Sequence, residues 1–93
     1  MTVDEIKKCL RDFARYGCFQ QSKHCRERMQ ERQVTIDDAL NVLLWGQVSE
    51  IEYNEMNDNW QCKVTGTDID GENLVFIAGV WEHCHTVRCI TVY

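Results

Sequence analysis

One helical stretch in the first third of the chain carries residue types that can do acid-base chemistry on a phosphate ester. His24, Arg28 and Arg32 follow one another every four residues, so in a helix they form one stripe along its surface. An imidazole can move a proton near neutral pH, and a guanidinium group holds phosphate oxygens. These are the groups that metal-free RNA cleavage needs. The alternative is a solvated helix whose arginines only form ion pairs with Glu27 and Glu31.

The charge of the chain is unevenly distributed. The formal net charge of −5 argues against nucleic-acid binding through overall electrostatics. Residues 1–33, however, contain eight Lys and Arg against five Asp and Glu, whereas residues 34–93 contain two against ten. A basic part on an acidic body can steer a phosphate to one face. Alternatively, the two parts attract each other in the folded domain.

Three amphipathic helices are predicted in the first half. Apolar residues at helical spacing predict the first helix from Val3 to about Tyr16, with Gly17 as its C-cap. Ser22 is a good N-cap for the second helix, in which Cys25 and Met29 supply the apolar stripe. The third helix begins with a capping-box-like segment at residues 35–38 and ends at Gly46.

After Gly46 the apolar pattern changes from helical to alternating, which predicts strands. Their sequences are Val48–Tyr53, Trp60–Thr65, Leu74–Ala78 and Val87–Tyr93. The connections are short, so neighbouring strands must be antiparallel. We therefore expect one α+β domain over residues 1–93, with two to three N-terminal helices packed on one face of a four-stranded antiparallel meander. Leu74–Ala78 is apolar on both faces and should be central.

The chain contains six cysteines and no apolar stretch long enough to span a membrane. Its acidic amino terminus is unlike a signal peptide, so we expect a cytoplasmic protein with reduced thiols that act as small core residues. His83, Cys84, His85 and Cys89 form the one dense group of metal-ligand types. On a strand, Cys84 would point away from both histidines, so we expect no metal to bind there. We also expect no cofactor. A metal-binding regulatory protein is the third interpretation of the sequence.

Several short motifs occur in a fixed order along most of the chain. They are Ser22-x-His24, Arg28-Met29, Glu31-Arg32, Val34-x-Ile36-x-Asp38, Gly46, Glu50, Gly66-x-Asp68-x-Asp70-Gly71 and Cys89-Ile-Thr-Val-Tyr93. Over about residues 20–93 this set resembles a small bacterial family of unknown-function domains grouped with RelE-like and BrnT-like toxins. The resemblance implies a compact helix-plus-sheet fold used by endonucleases that cut free or ribosome-bound mRNA. It also implies an antitoxin protein as partner.

The resemblance places the family's site residues at His24, Arg28, Thr91 and Tyr93. We expect His24 to act as base or acid and Arg28 to stabilise the phosphorane charge. Tyr93 is expected to stack a base or donate its phenol proton, and Arg32 to hold the next phosphate.

Regular alternation along the last strand separates two groups of predicted substrate-binding residues. Thr91 and Tyr93 share one face, whereas Arg88 lies on the other face with Ile90 and Val92. If Ile90 and Val92 pack under the helices, Arg88 lies at the rim and Tyr93 points away from the helical stripe. Thr91 also suits a strand without any functional role.

The three tryptophans have both structural and functional interpretations. Trp60 and Trp81 are suited to stacking on bases, but aromatic residues on strands usually cover a core or an edge. Trp45, at the end of the third helix, is expected in the core.

The sequence therefore predicts a toxin-type RNA endonuclease centred on His24 and Arg28. The alternative is a non-catalytic module of the same fold that binds an antitoxin or a second copy of the chain through an exposed strand edge.

Overall fold

The computed structural model describes residues 1–16, 20–81 and 86–93. The elements are α1 (Val3–Tyr16), α2 (Lys23–Glu31), α3 (Ile36–Trp45), β1 (Gln47–Asn54), β2 (Asn59–Thr67), β3 (Asn73–Trp81) and β4 (Thr86–Val92). All strand pairs are antiparallel, in the order β1-β2-β3-β4. The predicted α+β fold is confirmed. The predicted cap at Gly17 and the group at residues 83–85 lie outside the described residues.

The hydrophobic core lies between the helices and one face of the sheet. In β3 the residues Leu74, Phe76, Ala78 and Val80 are buried and face the helices. Val75 and Ile77, which alternate with them, are only half-buried on the opposite face. We call this opposite side the open face; it carries Val75 and Ile77 of β3 and the residues paired with them. β3 is an inner strand, as predicted from its apolar residues on both faces.

Helix α3 begins with the predicted capping box. The Thr35 hydroxyl accepts a hydrogen bond from the Asp38 backbone N–H at 3.1 Å, and the Asp38 carboxylate accepts one from the Thr35 N–H at 3.0 Å. The second carboxylate oxygen of Asp38 accepts a bond from the Ile69 N–H at 3.1 Å. Asp38 therefore joins the start of α3 to the β2–β3 connection.

Acidification is expected to destabilise the domain through Asp38. The backbone N–H groups of Thr35 and Ile69 hold the pKa of this carboxyl below its ordinary value of 3.8. Because the folded-state pKa is the lower one, the carboxylate contributes stability above the ordinary pKa, and this contribution is lost as the pH falls through the lowered value. Urea denaturation of wild type and Asp38→Asn should therefore give a difference in unfolding free energy of about 1–2 kcal/mol at neutral pH that shrinks on acidification. A difference that does not change with pH would contradict this assignment.

The outer edge of β4 is covered by the segment that leads into α2. The Cys89 N–H donates to the Gln20 carbonyl and the Ser22 N–H donates to the Cys89 carbonyl, both at 2.9 Å. The Ser22 hydroxyl donates to the Ile90 carbonyl at 2.7 Å. These bonds satisfy backbone groups that a border strand would otherwise present to solvent.

A disulfide between Cys25 and Cys89 links α2 to β4, with a Cα–Cα distance of 6.3 Å. The prediction that all the thiols are reduced is wrong for this pair. The two cysteines are 64 residues apart, and they meet because the apolar stripe of α2 packs on the helix-facing side of β4. Cys62 is a buried core residue, and this burial raises the pKa of its thiol to about 11.

Within the described ranges, the structure has no helix that is both long and apolar enough to cross a membrane.

Candidate functional site

The first turn of α2 has a fixed position on the sheet. Ser22 is the N-cap, and its hydroxyl oxygen accepts a bond from the Cys25 N–H at 3.0 Å, as the sequence predicts. Cys25 and Met29 are the buried residues of the helix, which is also as predicted. Since Ser22 and Cys25 are both attached to β4, the backbone of the first turn has a defined place beside that strand.

His24 lies in this first turn with an exposed side chain. It has no hydrogen-bond partner among the residues that the structure describes, so its imidazole is not held by a local capping bond. An imidazole in this setting can exchange protons with a ligand directly.

Arg28 lies one helical turn after His24 and reaches the end of β4. Its Nε donates to the Val92 carbonyl at 3.3 Å, and its Nη1 lies 3.3 Å from the Glu31 carboxylate. The side chain is 36% exposed. The alternative prediction of an ion pair on the helix is therefore correct for Glu31. Such an exposed pair stabilises a protein by no more than about 1 kcal/mol, so a phosphate can replace the carboxylate.

Arg32 occupies the end of the helix rather than a position within it. It is the C-cap residue, and its backbone N–H donates to the Arg28 carbonyl at 3.0 Å. Its side chain is exposed. Of the predicted stripe, His24 and Arg28 therefore lie within α2, and Arg32 lies at its C-cap.

A β-bulge in β4 changes which residues share a face. Cys89 lies opposite Ala78, but Thr91 lies opposite Ile77, so Ile90 is the additional residue. Cys89 and Val92 are consequently the buried residues that face the helices. The regular alternation assumed from the sequence, with Ile90 and Val92 on one face, is wrong.

The bulge places the three predicted β4 residues on the open face. Thr91 pairs with Ile77, Arg88 pairs with Gly79, and Tyr93 exchanges two backbone hydrogen bonds with Val75. The prediction that Arg88 lies on the opposite face from Thr91 and Tyr93 is therefore corrected. The extra residue between Cys89 and Thr91 reverses the alternation, and the sequence offers no Gly or Pro to mark it.

Arg28 of the helical stripe reaches the end of β4 from the helix-facing side of the sheet. Arg28 contacts the carbonyl of Val92, and Tyr93 follows directly with 51% of its surface exposed. The structure thus brings Arg28 to the residue that precedes Tyr93 in the chain, while the side chains of Thr91, Arg88 and Tyr93 lie on the open face, away from α2. Sequence reasoning missed the carbonyl that holds Arg28, because contacts between a helix and a strand 64 residues away leave no local pattern.

The tryptophans have three different environments. Trp60 packs edge-on against Tyr53, with ring centres 5.2 Å apart. Trp81 donates from its indole N–H to the Asn57 carbonyl at 3.0 Å. Trp45 is 70% exposed, so its predicted place in the core is wrong.

In the described part of the chain, no group of three or more His, Cys, Asp and Glu side chains is arranged to hold a metal ion. The group at His83, Cys84 and His85 lies outside that part.

No curated protein and no solved structure matches the chain significantly. The profile of a domain family of unknown function, DUF4258, matches residues 21–93. The matched region begins at the segment that pairs with β4 and includes α2, α3 and the whole sheet, so α1 alone among the elements lies outside it. The chain belongs to the DUF4258 family.

Proposed function

We propose that this chain is a toxin-type, metal-independent RNA endonuclease whose centre lies at the outer edge of β4. The observation that carries the proposal is the contact between Arg28 and the Val92 carbonyl. It orients a partly exposed guanidinium at the residue that precedes Tyr93 and one helical turn from the exposed imidazole of His24.

The proposed reaction is an attack of the ribose on its own phosphate. His24 removes the 2′-OH proton, and the 2′ oxygen forms a bond to the adjacent phosphorus. The bond from phosphorus to the 5′ oxygen breaks, and the Tyr93 phenol protonates this leaving oxygen. Arg28 stabilises the additional negative charge on the phosphorane. The products are a 2′,3′-cyclic phosphate and a 5′-hydroxyl, and water then restores the protonation states of His24 and Tyr93.

Local charge supports RNA binding at α2 despite the net charge of −5. Lys23 and Arg26 are exposed on the same helix as Arg28, and Arg32 is exposed at its end. The acidic side chains of the domain are mostly in residues 34–93. RNA is therefore expected to approach from the α2 side, with affinity that falls as salt concentration rises.

We also propose that the chain is related to RelE-like and BrnT-like toxins. The order of three helices followed by an antiparallel meander supports it at the level of architecture, and architecture alone does not determine activity. Within this proposal the chain acts in the cytoplasm on free or ribosome-bound mRNA and is inhibited by an antitoxin protein.

Replacing Arg28 with alanine is expected to lower the cleavage rate about a hundredfold, because the phosphorane loses its charged hydrogen-bond donor. The assay uses purified protein, single-stranded RNA and a metal chelator, and detects the 2′,3′-cyclic phosphate end. Arg26→Ala is the matched control, since it removes the same charge from an exposed position of the same helix. Equal losses in both variants would show a general charge effect and contradict the assigned role.

The assay also tests the proposed function itself. Wild-type protein should form the cyclic phosphate with the chelator present, on free RNA or on mRNA bound to ribosomes. If neither substrate is cut, or if cutting requires a divalent metal ion, the proposed function is wrong.

The second candidate function is a non-catalytic module that binds a protein through β1. This strand forms the border of the sheet opposite β4, and Gln47, Ser49 and Glu52 are exposed along it. A partner such as an antitoxin, or a second copy, would add a strand there. Harmless expression of both wild type and the Arg28→Ala variant, with no loss of cellular mRNA, would favour this module.

A further inference from the structure

A small cavity lies where β3 ends and β4 begins, on the open face of the sheet. It has a volume of about 280 Å³ and is lined by Gln20, Trp81, Thr86 and Arg88. Trp81 of β3 pairs with Thr86 of β4. Arg88, two residues after Thr86, pairs with Gly79. Gln20 enters from the outer edge of β4, where its carbonyl accepts the bond from Cys89. Three elements of the chain therefore build this cavity.

The indole of Trp81 has a defined position in the cavity. Its N–H is bonded to the Asn57 carbonyl at 3.0 Å. A Cβ atom built at Gly79 would lie 3.3 Å from the Cζ3 atom of this indole and 2.7 Å from the side-chain nitrogen of Asn59. Because glycine has no side chain, the edge of the ring and Asn59 can occupy this space. A ring held in this way is a preformed surface for stacking.

Arg88 supplies a positive charge beside this ring. Its side chain is exposed, and no ion pair to it is formed within residues 1–16, 20–81 and 86–93. Lys63 is the other cation of residues 34–93, and it pairs with Glu50 at 3.5 Å. Of these two cations, Arg88 is therefore the one without an ion-pair partner among the described residues.

The cavity lies on the same strand as the proposed centre. Arg88 precedes Val92, the residue that holds Arg28, by four positions. Ile90 is the additional residue of the bulge, and the partners Gly79 and Phe76 are three residues apart on β3, so the separation is about 10 Å at the rise of a β-strand. A single RNA strand that follows the direction of β4 is long enough to reach both places.

We propose that this cavity binds one unstacked nucleobase of single-stranded RNA next to the cleaved linkage. Trp81 stacks on the base, and Arg88 binds the adjoining phosphate. The hollow has room for one base. The inference rests on the proposed function for its RNA substrate. It adds that Trp81 and Arg88 favour single-stranded RNA, in which a base can leave its stack.

The test measures binding separately from cleavage. All variants carry His24→Ala, and the affinity for a short labelled single-stranded RNA is measured by fluorescence anisotropy at several salt concentrations. Trp81→Leu should weaken binding at least about fivefold through the lost stacking. Trp81→Phe keeps an aromatic ring and should lose less. Arg88→Gln should weaken binding and reduce the slope of log affinity against log salt by about one.

Two matched controls use the same substitutions elsewhere. Trp45→Leu removes an indole that is 70% exposed on α3, and Lys63→Gln removes the paired cation of the sheet. Both should leave the affinity nearly unchanged. Circular dichroism establishes that each variant is folded, and if Trp81→Leu does not fold, Trp81→Phe and Arg88→Gln decide the result.

The outcomes separate this inference from the proposed function. If the wild-type chain cuts RNA but the Trp81 and Arg88 variants bind like their controls, the cavity proposal is wrong and the endonuclease proposal remains. If RNA binding depends on Trp81 and Arg88 but wild-type protein cuts nothing, the cavity proposal is supported and the endonuclease proposal fails. If single-stranded RNA does not bind, both fail.

Discussion

Replacement of His24 by alanine is expected to reduce RNA cleavage by about 10²- to 10⁴-fold, because the reaction loses the group that takes the 2′-OH proton. The side chain is exposed and no described residue bonds to it, so the unfolding free energy should change by less than about 0.5 kcal/mol. RNA binding should also persist, since the phosphate contacts belong to the arginines. The measurements are the single-turnover cleavage rate, urea denaturation and RNA affinity.

The matched control for this variant is Lys23→Ala, at the neighbouring exposed position of α2. Addition of free imidazole should restore part of the cleavage in His24→Ala, because a small base can enter the vacated space. A His24→Ala protein that cuts RNA at the wild-type rate would remove the imidazole from the mechanism.

Reduction of the Cys25–Cys89 disulfide is expected to lower the unfolding free energy by up to about 4 kcal/mol. The bond closes a loop of 64 residues in sequence, and opening it gives the unfolded chain many more conformations. Urea denaturation of wild type with and without a reductant measures this effect. Without the disulfide, α2 should be held less firmly on β4, although the hydrogen bonds of Ser22 to β4 remain.

Two variants control for other effects of the reductant. Cys25→Ala combined with Cys89→Ala should be destabilised and should not respond to reductant. Cys62→Ala removes a buried thiol that is outside the disulfide, so it should still respond as wild type does. Wild-type stability that is the same under oxidising and reducing conditions would contradict a stabilising role for the bond.

The elements of the fold could be predicted because each carries a local signal. Ser22 and Thr35 begin helices as N-caps, and Gly46 ends α3 where a Cβ would lie 2.8 Å from Val64. The alternating strands and their short connections give the antiparallel order. These features depend on residues close in sequence, so a pattern is sufficient.

The errors have physical causes that differ from one another. Trp45 lies three positions after buried Val42, so helical spacing puts it at the border of the stripe of Ala39, Val42 and Leu43. It is the last residue of α3, and its side chain is exposed there. The bulge at Ile90 has no such signal, because the bulged strand contains ordinary strand residues.

The candidate site was predictable in its parts and not in its assembly. The stripe on α2 follows from helical spacing. The contacts of Arg28 with Val92 and of Cys25 with Cys89 join segments far apart in the chain. They arise only when α2 is laid beside β4, and a single sequence contains no direct record of that packing.

The pairing of residues 20–22 with β4 has a consequence for assembly. Among the described residues it covers the middle of the β4 edge, at Cys89 and Ile90, whereas the outer side of β1 has no such cover. Two copies joined at β1 by a two-fold axis would pair the uncovered borders of both. The geometry of the fold therefore favours a closed pair over an open-ended fibre.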